Sequence, residues 1–133
     1  MIDEREFPAS RAGTAYLAPQ ILLDVDHSVP VMKEEIFGPV AGLMKVRSDE
    51  EAIALMNDTR YGLTAGVYTR DEARARRILA QVHAGTVYWN CCDRVSPRLP
   101  WSGRGHSGIG STLSRSGILA FTKPKAWHLR QPG

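Results

Sequence analysis

Residues 63–90 hold the pattern that most restricts what this chain can fold into. Leu63 to Tyr68 is strand-like, and Thr69-Arg70-Asp71-Glu72 opens a helix in capping-box form, a threonine with a glutamate three residues on. Ala75, Ile78, Leu79 and Val82 follow at the spacing of one helix face, and Gly85 supplies the backbone freedom to stop it. Thr86-Val87-Tyr88-Trp89-Asn90, built from β-branched and aromatic residues, is the clearest strand. Strand, helix and strand at these lengths predict a βαβ crossover, hence a parallel sheet carrying helices.

The rest of the chain repeats that alternation. Thr14 to Val25 reads as extended, centred on Ile21-Leu22-Leu23 and interrupted by Pro19, and Val40 to Val46 follows the Gly38-Pro39 turn. Ser48-Asp49-Glu50-Glu51 opens another helix: the Ser48 hydroxyl can accept from the backbone N–H three residues on, while Glu51 reaches back to the Ser48 N–H. Ala52, Ile53, Leu55 and Met56 form its apolar side, and Asn57-Asp58 suits its end. The Pro/Gly-rich stretch from Cys91 to Ser111 predicts a long loop, a short helix runs from about Thr112 to Phe121, and Lys125 to Arg130 reads as a final strand. A chain of this length normally buries roughly two-thirds of its unfolded surface.

Composition excludes several classes. No apolar run approaches the roughly 20 residues that cross a bilayer. Met1-Ile2-Asp3-Glu4-Arg5-Glu6-Phe7 is charged, unlike a secretory signal, so a cytoplasmic protein is expected. A net charge of +3 does not call for nucleic acid. The densest basic stretch, Arg70, Arg74, Arg76 and Arg77, is broken by Asp71 and Glu72 and reads as a solvated helix face rather than a phosphate patch. Cys91 and Cys92 are adjacent, which closes almost no loop as a disulfide and fits neither zinc nor CxxC spacing, so a reducing compartment and no metal are expected. The glycines from Gly103 to Gly110 lack the terminal Lys-Ser/Thr of a P-loop.

Four segments then resemble the aldehyde dehydrogenase superfamily, in its order and spacing. They are Glu34-Glu35-Ile36-Phe37-Gly38-Pro39-Val40 (EEIFGPV), Asn57-Asp58-Thr59-Arg60-Tyr61-Gly62-Leu63 (N-x-T-x-Y-G-L), Gly85-Thr86-Val87-Tyr88-Trp89-Asn90 (G-T-V-x-x-N), and Pro100-Trp101-Ser102-Gly103 continuing to Ser107-Gly108 (P-F-G-G-x-x-x-S-G). Together they cover nearly everything from Gly13 to Arg130. The resemblance implies an α/β fold, part of that family's catalytic domain, with parallel-sheet βαβ units and flanking helices, over residues 1–121. It implies an oligomerisation strand and tail over 122–133, where Lys125, Trp127 and Leu129 would meet a neighbouring subunit.

Residue roles follow from the same resemblance. Glu35 matches the glutamate that accepts from the hydroxyls of the nicotinamide ribose of NAD or NADP, chemistry that suits a carboxylate facing a vicinal diol. On its own it would read as a turn carboxylate paired with a surface base. Phe37 matches the aromatic beside the nicotinamide ring, though an isolated phenylalanine ahead of Gly-Pro is more often core. Val95 and Trp101 match the wall of the aldehyde tunnel; Trp101 could instead close its loop onto the core. Ser102 replaces a common glycine, and Arg104 and His106 stand where lysine is frequent, which loosens any inference about the aldehyde accepted.

In the family a cysteine thiolate attacks the aldehyde to give a thiohemiacetal, hydride passes to NAD(P), and water hydrolyses the thioester. The nucleophile, the general-base glutamate and the oxyanion asparagine would all lie upstream of residue 34, as would the cofactor domain, so no catalytic residue is expected here. Cys91 and Cys92 fall on the tunnel segment, outside any nucleophile motif. The leading expectation is therefore a portion of an aldehyde dehydrogenase, inactive alone, whose partners are an aldehyde and either further copies or the missing N-terminal half. The alternative is a non-catalytic fragment that pairs with full-length subunits through its tail and modulates assembly. Either way, exposed sheet edges predict marginal stability or aggregation for the isolated chain.

Overall fold

A computed structural model describes residues 4–92 and 94–133. Met1, Ile2 and Asp3 of the charged N-terminal segment and Asp93 of the long loop lie outside the described residues. The elements run β1 (Gln20–Leu23), β2 (Val40–Leu43), α1 (Asp49–Asn57), β3 (Thr64–Val67), α2 (Glu72–Leu79), β4 (Thr86–Trp89) and α3 (Ser114–Leu119), with single 3-10 turns at Glu4–Glu6 and Pro30–Met32.

The expected βαβ unit is present. β3 and β4 pair in parallel, Thr64 opposite Thr86 through Val67 opposite Trp89, and α2 forms the crossover and packs on both strands. Ala75 and Ile78, three residues apart on one helix face, are buried there with Tyr88 of β4. Burying Ile78 contributes roughly 1.5–3 kcal/mol. β1 and β2 form a second parallel pair, Gln20 opposite Val40 through Leu23 opposite Leu43. The two pairs are separate two-stranded ladders rather than one sheet.

The local starts and stops differ in detail from expectation. Asp71, not Thr69, caps α2: its carboxylate accepts from the Arg74 N–H at 3.0 Å. Thr69 is occupied at the end of β4, where its carbonyl accepts from the Trp89 indole and the Asn90 amide, both at 2.9 Å. α2 ends at Leu79 with Ala80 as its cap, so Gly85 is not the helix stop. Gly85 is glycine for a different reason, close approach: a Cβ there would overlap the Ser102 carbonyl. At α1, Ser48 caps as expected, accepting from Glu51 N–H at 3.2 Å. The Glu51 carboxylate, however, reaches back one residue further, to the Arg47 N–H at 2.6 Å and to its guanidinium.

Each strand is shorter than its sequence pattern. β1 stops where Asp24 turns to φ 53, and β4 stops where Asn90 turns to φ 52, both outside the extended region. α3 falls inside its expected range, and Gly117 lets it press on Thr112. Residues 123–133 form no helix or strand within this chain.

Little is enclosed. The buried hydrophobics among the described residues are Ala18, Ala75, Ile78 and Tyr88. The chain exposes 11,084 Å², whereas a self-contained protein of 14.7 kDa exposes about 6,900 Å². About half of the unfolded surface is buried, not the two-thirds expected of this length. The cause is visible in β1, where Ile21, Leu22 and Leu23 are all exposed, and in two ladders with bare edges.

Candidate functional site: a cleft held by one turn

A cleft of about 650 Å³ lies between the two strand pairs. Gly42, Leu43 and Met44 line one side, Leu63, Thr64 and Ala65 the other, with Leu55 and Met56 of α1 between them. At its polar end stand His27, Lys33, Glu34 and Glu35.

The segment 57–63 ties this end together. It leaves α1 with Asp58 as cap, and Asp58, Thr59 and Arg60 meet the turn after Pro30–Met32 that leads into Glu34 and Glu35. The Asp58 carboxylate meets the Lys33 ammonium at 2.8 Å and His27 Nδ1 at 2.9 Å. Hydrogen bonds from Lys33 and then His27 hold the Asp58 carboxyl below its ordinary pKa. The Thr59 hydroxyl donates to the Lys33 carbonyl at 2.9 Å, and the Arg60 guanidinium donates to the Glu34 carboxylate at 2.6 Å. That bond, with the attraction of the same carboxylate, raises the Arg60 pKa further.

The same segment reaches the other two motifs. Asn57 donates to the Gln81 carbonyl and accepts from the His83 N–H, both at 2.8 Å. The Gly62 carbonyl accepts from the Gly85 and Arg104 N–H groups, and the Gly62 N–H donates to the Ser107 hydroxyl, each at 3.0 Å. The Arg60 carbonyl accepts from His106 N–H at 2.8 Å, and the Tyr61 and His106 rings meet edge to face. All four motifs recognised in the sequence therefore converge on Asn57 to Gly62. The sequence displayed that motif without assigning it a job; its density of short polar residues before a Tyr-Gly was the available signal.

The expected site residues divide. Glu35 lines the cleft, and among the described residues no protein hydrogen bond engages its carboxylate, unlike that of Glu34. Phe37 is outside the cleft lining and 94 % exposed. Val95 is 58 % exposed on the long loop, and Trp101 is half-buried in an antiparallel bridge to Thr112. Neither lines the cleft. In the tail the Lys125 ammonium sits 4.7 Å over the Trp127 ring, and Trp127 and Leu129 are exposed. Cys91 and Cys92 are free thiols, half-buried and exposed respectively. No metal-binding group of three or more His, Cys, Asp or Glu occurs among the described residues.

The basic stretch on α2 is engaged by carboxylates. Arg74 and Arg77 converge on Asp49 of α1, each at 2.6 Å, and Arg76 pairs with Glu72. Hydrogen bonding from Arg74, then the pull of both guanidinium groups, lowers the Asp49 pKa. The Asp49 pairs bridge α1 to α2, the Arg76–Glu72 pair lies within α2, and Arg74, Arg76 and Arg77 are all committed to protein. No helix among the described residues is long and apolar enough to cross a membrane.

Comparison with known proteins agrees with this geometry. Residues 2–127 match the aldehyde dehydrogenase family. The chain is 35% identical over 129 residues to aldehyde dehydrogenase [NAD(P)+] 1 of Saccharomyces cerevisiae, covering 97% of this chain and 26% of that protein. It is 38% identical to an aldehyde dehydrogenase-like protein of Schizosaccharomyces pombe, over 86% of this chain and 23% of the relative. Betaine aldehyde dehydrogenase from Staphylococcus aureus, solved in complex with NAD+, superposes with a TM-score of 0.73 at 34% identity, over 76% of this chain and 20% of that one. The chain thus spans about a quarter of the length of the curated relatives it matches. Its strand pairs, its helices and its four motifs place the chain in the aldehyde dehydrogenase family.

Proposed function

We propose that this chain acts as the C-terminal catalytic-domain portion of an aldehyde dehydrogenase that oxidises an aldehyde to a carboxylic acid with NAD or NADP. Bound there, the cofactor supplies the hydride acceptor. Glu35 accepts hydrogen bonds from the nicotinamide-ribose hydroxyls, and Phe37 flanks the nicotinamide ring. Val95 and Trp101 wall the aldehyde tunnel, and the tail around Lys125, Trp127 and Leu129 contacts another subunit. The nucleophilic cysteine, the general base and the oxyanion donor come from protein outside this sequence. Two free thiols suit a reducing, cytoplasmic setting.

The observation that carries this reading is the surplus of exposed surface. Surface beyond that of a self-contained protein of this mass, including the apolar side chains of Ile21, Leu23, Phe37, Ile109 and Phe121, is surface built to be covered. Glu35 fits the cofactor role because it stands in the cleft with its carboxylate uncommitted.

Nicotinamide mononucleotide, which carries the ribose and ring without the adenosine half, tests the site directly. Ligand-observed NMR on the full chain is expected to show weak binding that Glu35→Gln reduces. Equal signals from both proteins would overturn the ribose contact. The purified chain mixed with NAD or NADP and a panel of aldehydes is expected to give no turnover; sustained production of NADH or NADPH would refute the external nucleophile.

A second reading rests on the tail, which forms no helix or strand within this chain and exposes Trp127 and Leu129 at alternate positions. In that reading the chain is a non-catalytic module that pairs with full-length subunits. Co-expression with a full-length relative and size-exclusion chromatography checks it, and an absence of mixed oligomers rejects it.

A further inference from the structure

We infer that Asp58, Thr59 and Arg60 are positioning residues for the cofactor contact: they clamp Lys33 and Glu34 so that Glu35, the next residue, is presented to the ribose at a fixed height in the cleft. This rests on the ribose role proposed for Glu35 and extends it to side chains that touch no cofactor.

The geometry is that of a bracket. Three consecutive side chains of one segment reach across to two consecutive residues of another, more than twenty positions earlier in the chain. Asp58 takes the Lys33 side chain, Thr59 takes the Lys33 backbone carbonyl, and Arg60 takes the Glu34 carboxylate. One backbone contact and two side-chain contacts hold this segment at two consecutive residues. Glu34 is held against Arg60, and Glu35 beside it is left facing the polar end of the cleft, which both residues line.

The pairing also gives the two adjacent glutamates distinct roles. Glu34 is spent on protein, in a charge-assisted bond of 2.6 Å. Glu35 is left as an open acceptor. Were Arg60 removed, two adjacent carboxylates would face the cleft with no cation holding either, and the segment would keep its Lys33 contacts and the Glu34 N–H bond to Pro30. Arg60 is itself anchored from behind, its carbonyl taking the His106 N–H and its guanidinium lying 5.8 Å from the Tyr61 ring centre. The bracket thus has a rigid base, since Tyr61 and Gly62 are tied to the 104–107 loop.

Hydrogen–deuterium exchange on the full chain, read on the peptide spanning residues 33–40, tests the clamp without requiring activity. Arg60→Ala and Thr59→Val are expected to speed exchange there about tenfold, leaving the β3 and β4 peptides unchanged. Arg60→Lys should lie between, and the charge reversal Glu34→Arg with Arg60→Glu should restore protection, which a merely structural loss would not do. Arg60 is half exposed, so folding is expected to survive; unchanged exchange in the β4 peptide verifies it. Equal exchange in wild type, Arg60→Ala and Thr59→Val, or failure of the reversed pair to restore protection, would overturn the clamp. Nicotinamide mononucleotide binding to the same variants separates the two proposals. If wild type does not bind it, the ribose role fails while the exchange data still judge the clamp. If wild type binds and Arg60→Ala binds as tightly, the clamp does not serve the cofactor.

Discussion

Replacing Gly85 by alanine probes the junction where the third and fourth motifs meet. A Cβ at this position would stand 2.6 Å from the Ser102 carbonyl carbon, and closer still to its oxygen, against an ordinary contact of 3.4 Å or more. The two backbones must move apart by roughly 1.5–2 Å to admit it. Both N–H groups that meet at the Gly62 carbonyl, those of Gly85 and Arg104, flank this contact at 3.0 Å, and they cannot both follow the separation. Losing one costs about 1 kcal/mol and the residual crowding adds about 1–3 kcal/mol, so a destabilisation of about 2–4 kcal/mol is expected. For a chain of this size that is a fall in Tm on the order of 10 °C, or loss of the transition altogether where the parent is only marginally stable. Circular dichroism at 222 nm, with Gly66→Ala as control, is the assay. Gly66 sits in β3 with its nearest neighbours at 3.7 Å or beyond, so its alanine should fit. A Gly85→Ala chain melting within about 2 °C of wild type would show that the 85–102 approach is not a close one.

The remaining predictions concern caps, charges and one orphaned hydroxyl. Ser48→Ala and Asp71→Ala each remove the acceptor at a helix start and should cost about 1 kcal/mol in urea titrations, with Thr69→Ala leaving the α2 start in place. Asp49 and Asp58 have folded pKa values below the ordinary 3.8, so they stabilise the fold above that value and cease to as pH falls through the lowered ones. Acid titration of the helical signal should therefore show a loss below about pH 4, and Asp49→Asn with Asp58→Asn should flatten it; an unchanged acid limb would contradict the pairing. Among the described residues the buried Thr86 hydroxyl oxygen has no hydrogen-bond partner. Thr86→Val should be neutral or stabilising by up to about 1 kcal/mol, and a clear fall in the urea midpoint would reveal a partner for that hydroxyl.

How much was legible in the sequence depends on the range of the forces involved. α1, α2 and the β3–α2–β4 crossover were readable because caps and apolar spacing act over a few residues. Ser48 and Ile78 carry their signals in their own neighbourhoods. The choice of Asp71 over Thr69 was not readable, because the Thr69 hydroxyl accepts from the Asp71 N–H while its backbone is held by Trp89 and Asn90, some twenty positions away. Gly85 looked like a helix stop for the same reason: its true constraint comes from Ser102. Strand lengths failed where a residue such as Asp24 or Asn90 leaves extended backbone, which pattern alone does not reveal. For the site, the motifs pointed to Glu35, Phe37, Val95 and Trp101, of which Glu35 lines the cleft, while the contacts of Asp58, Thr59 and Arg60 with Lys33 and Glu34 needed the two segments to be seen side by side.

The sparse interior has a calorimetric consequence. Heat capacity rises on unfolding mainly because apolar surface becomes wet, by about 12–15 cal/mol/K per residue for an ordinary domain. Here Ile21, Leu22, Leu23, Phe37, Trp127 and Leu129 are already wet in the folded chain, so the increment should fall well below that range. A shallow heat-capacity step makes the stability curve flat and the melt broad, with little difference between cool and warm conditions. The withheld increment should reappear elsewhere, as a large negative heat-capacity change when those side chains are covered by the rest of an enzyme.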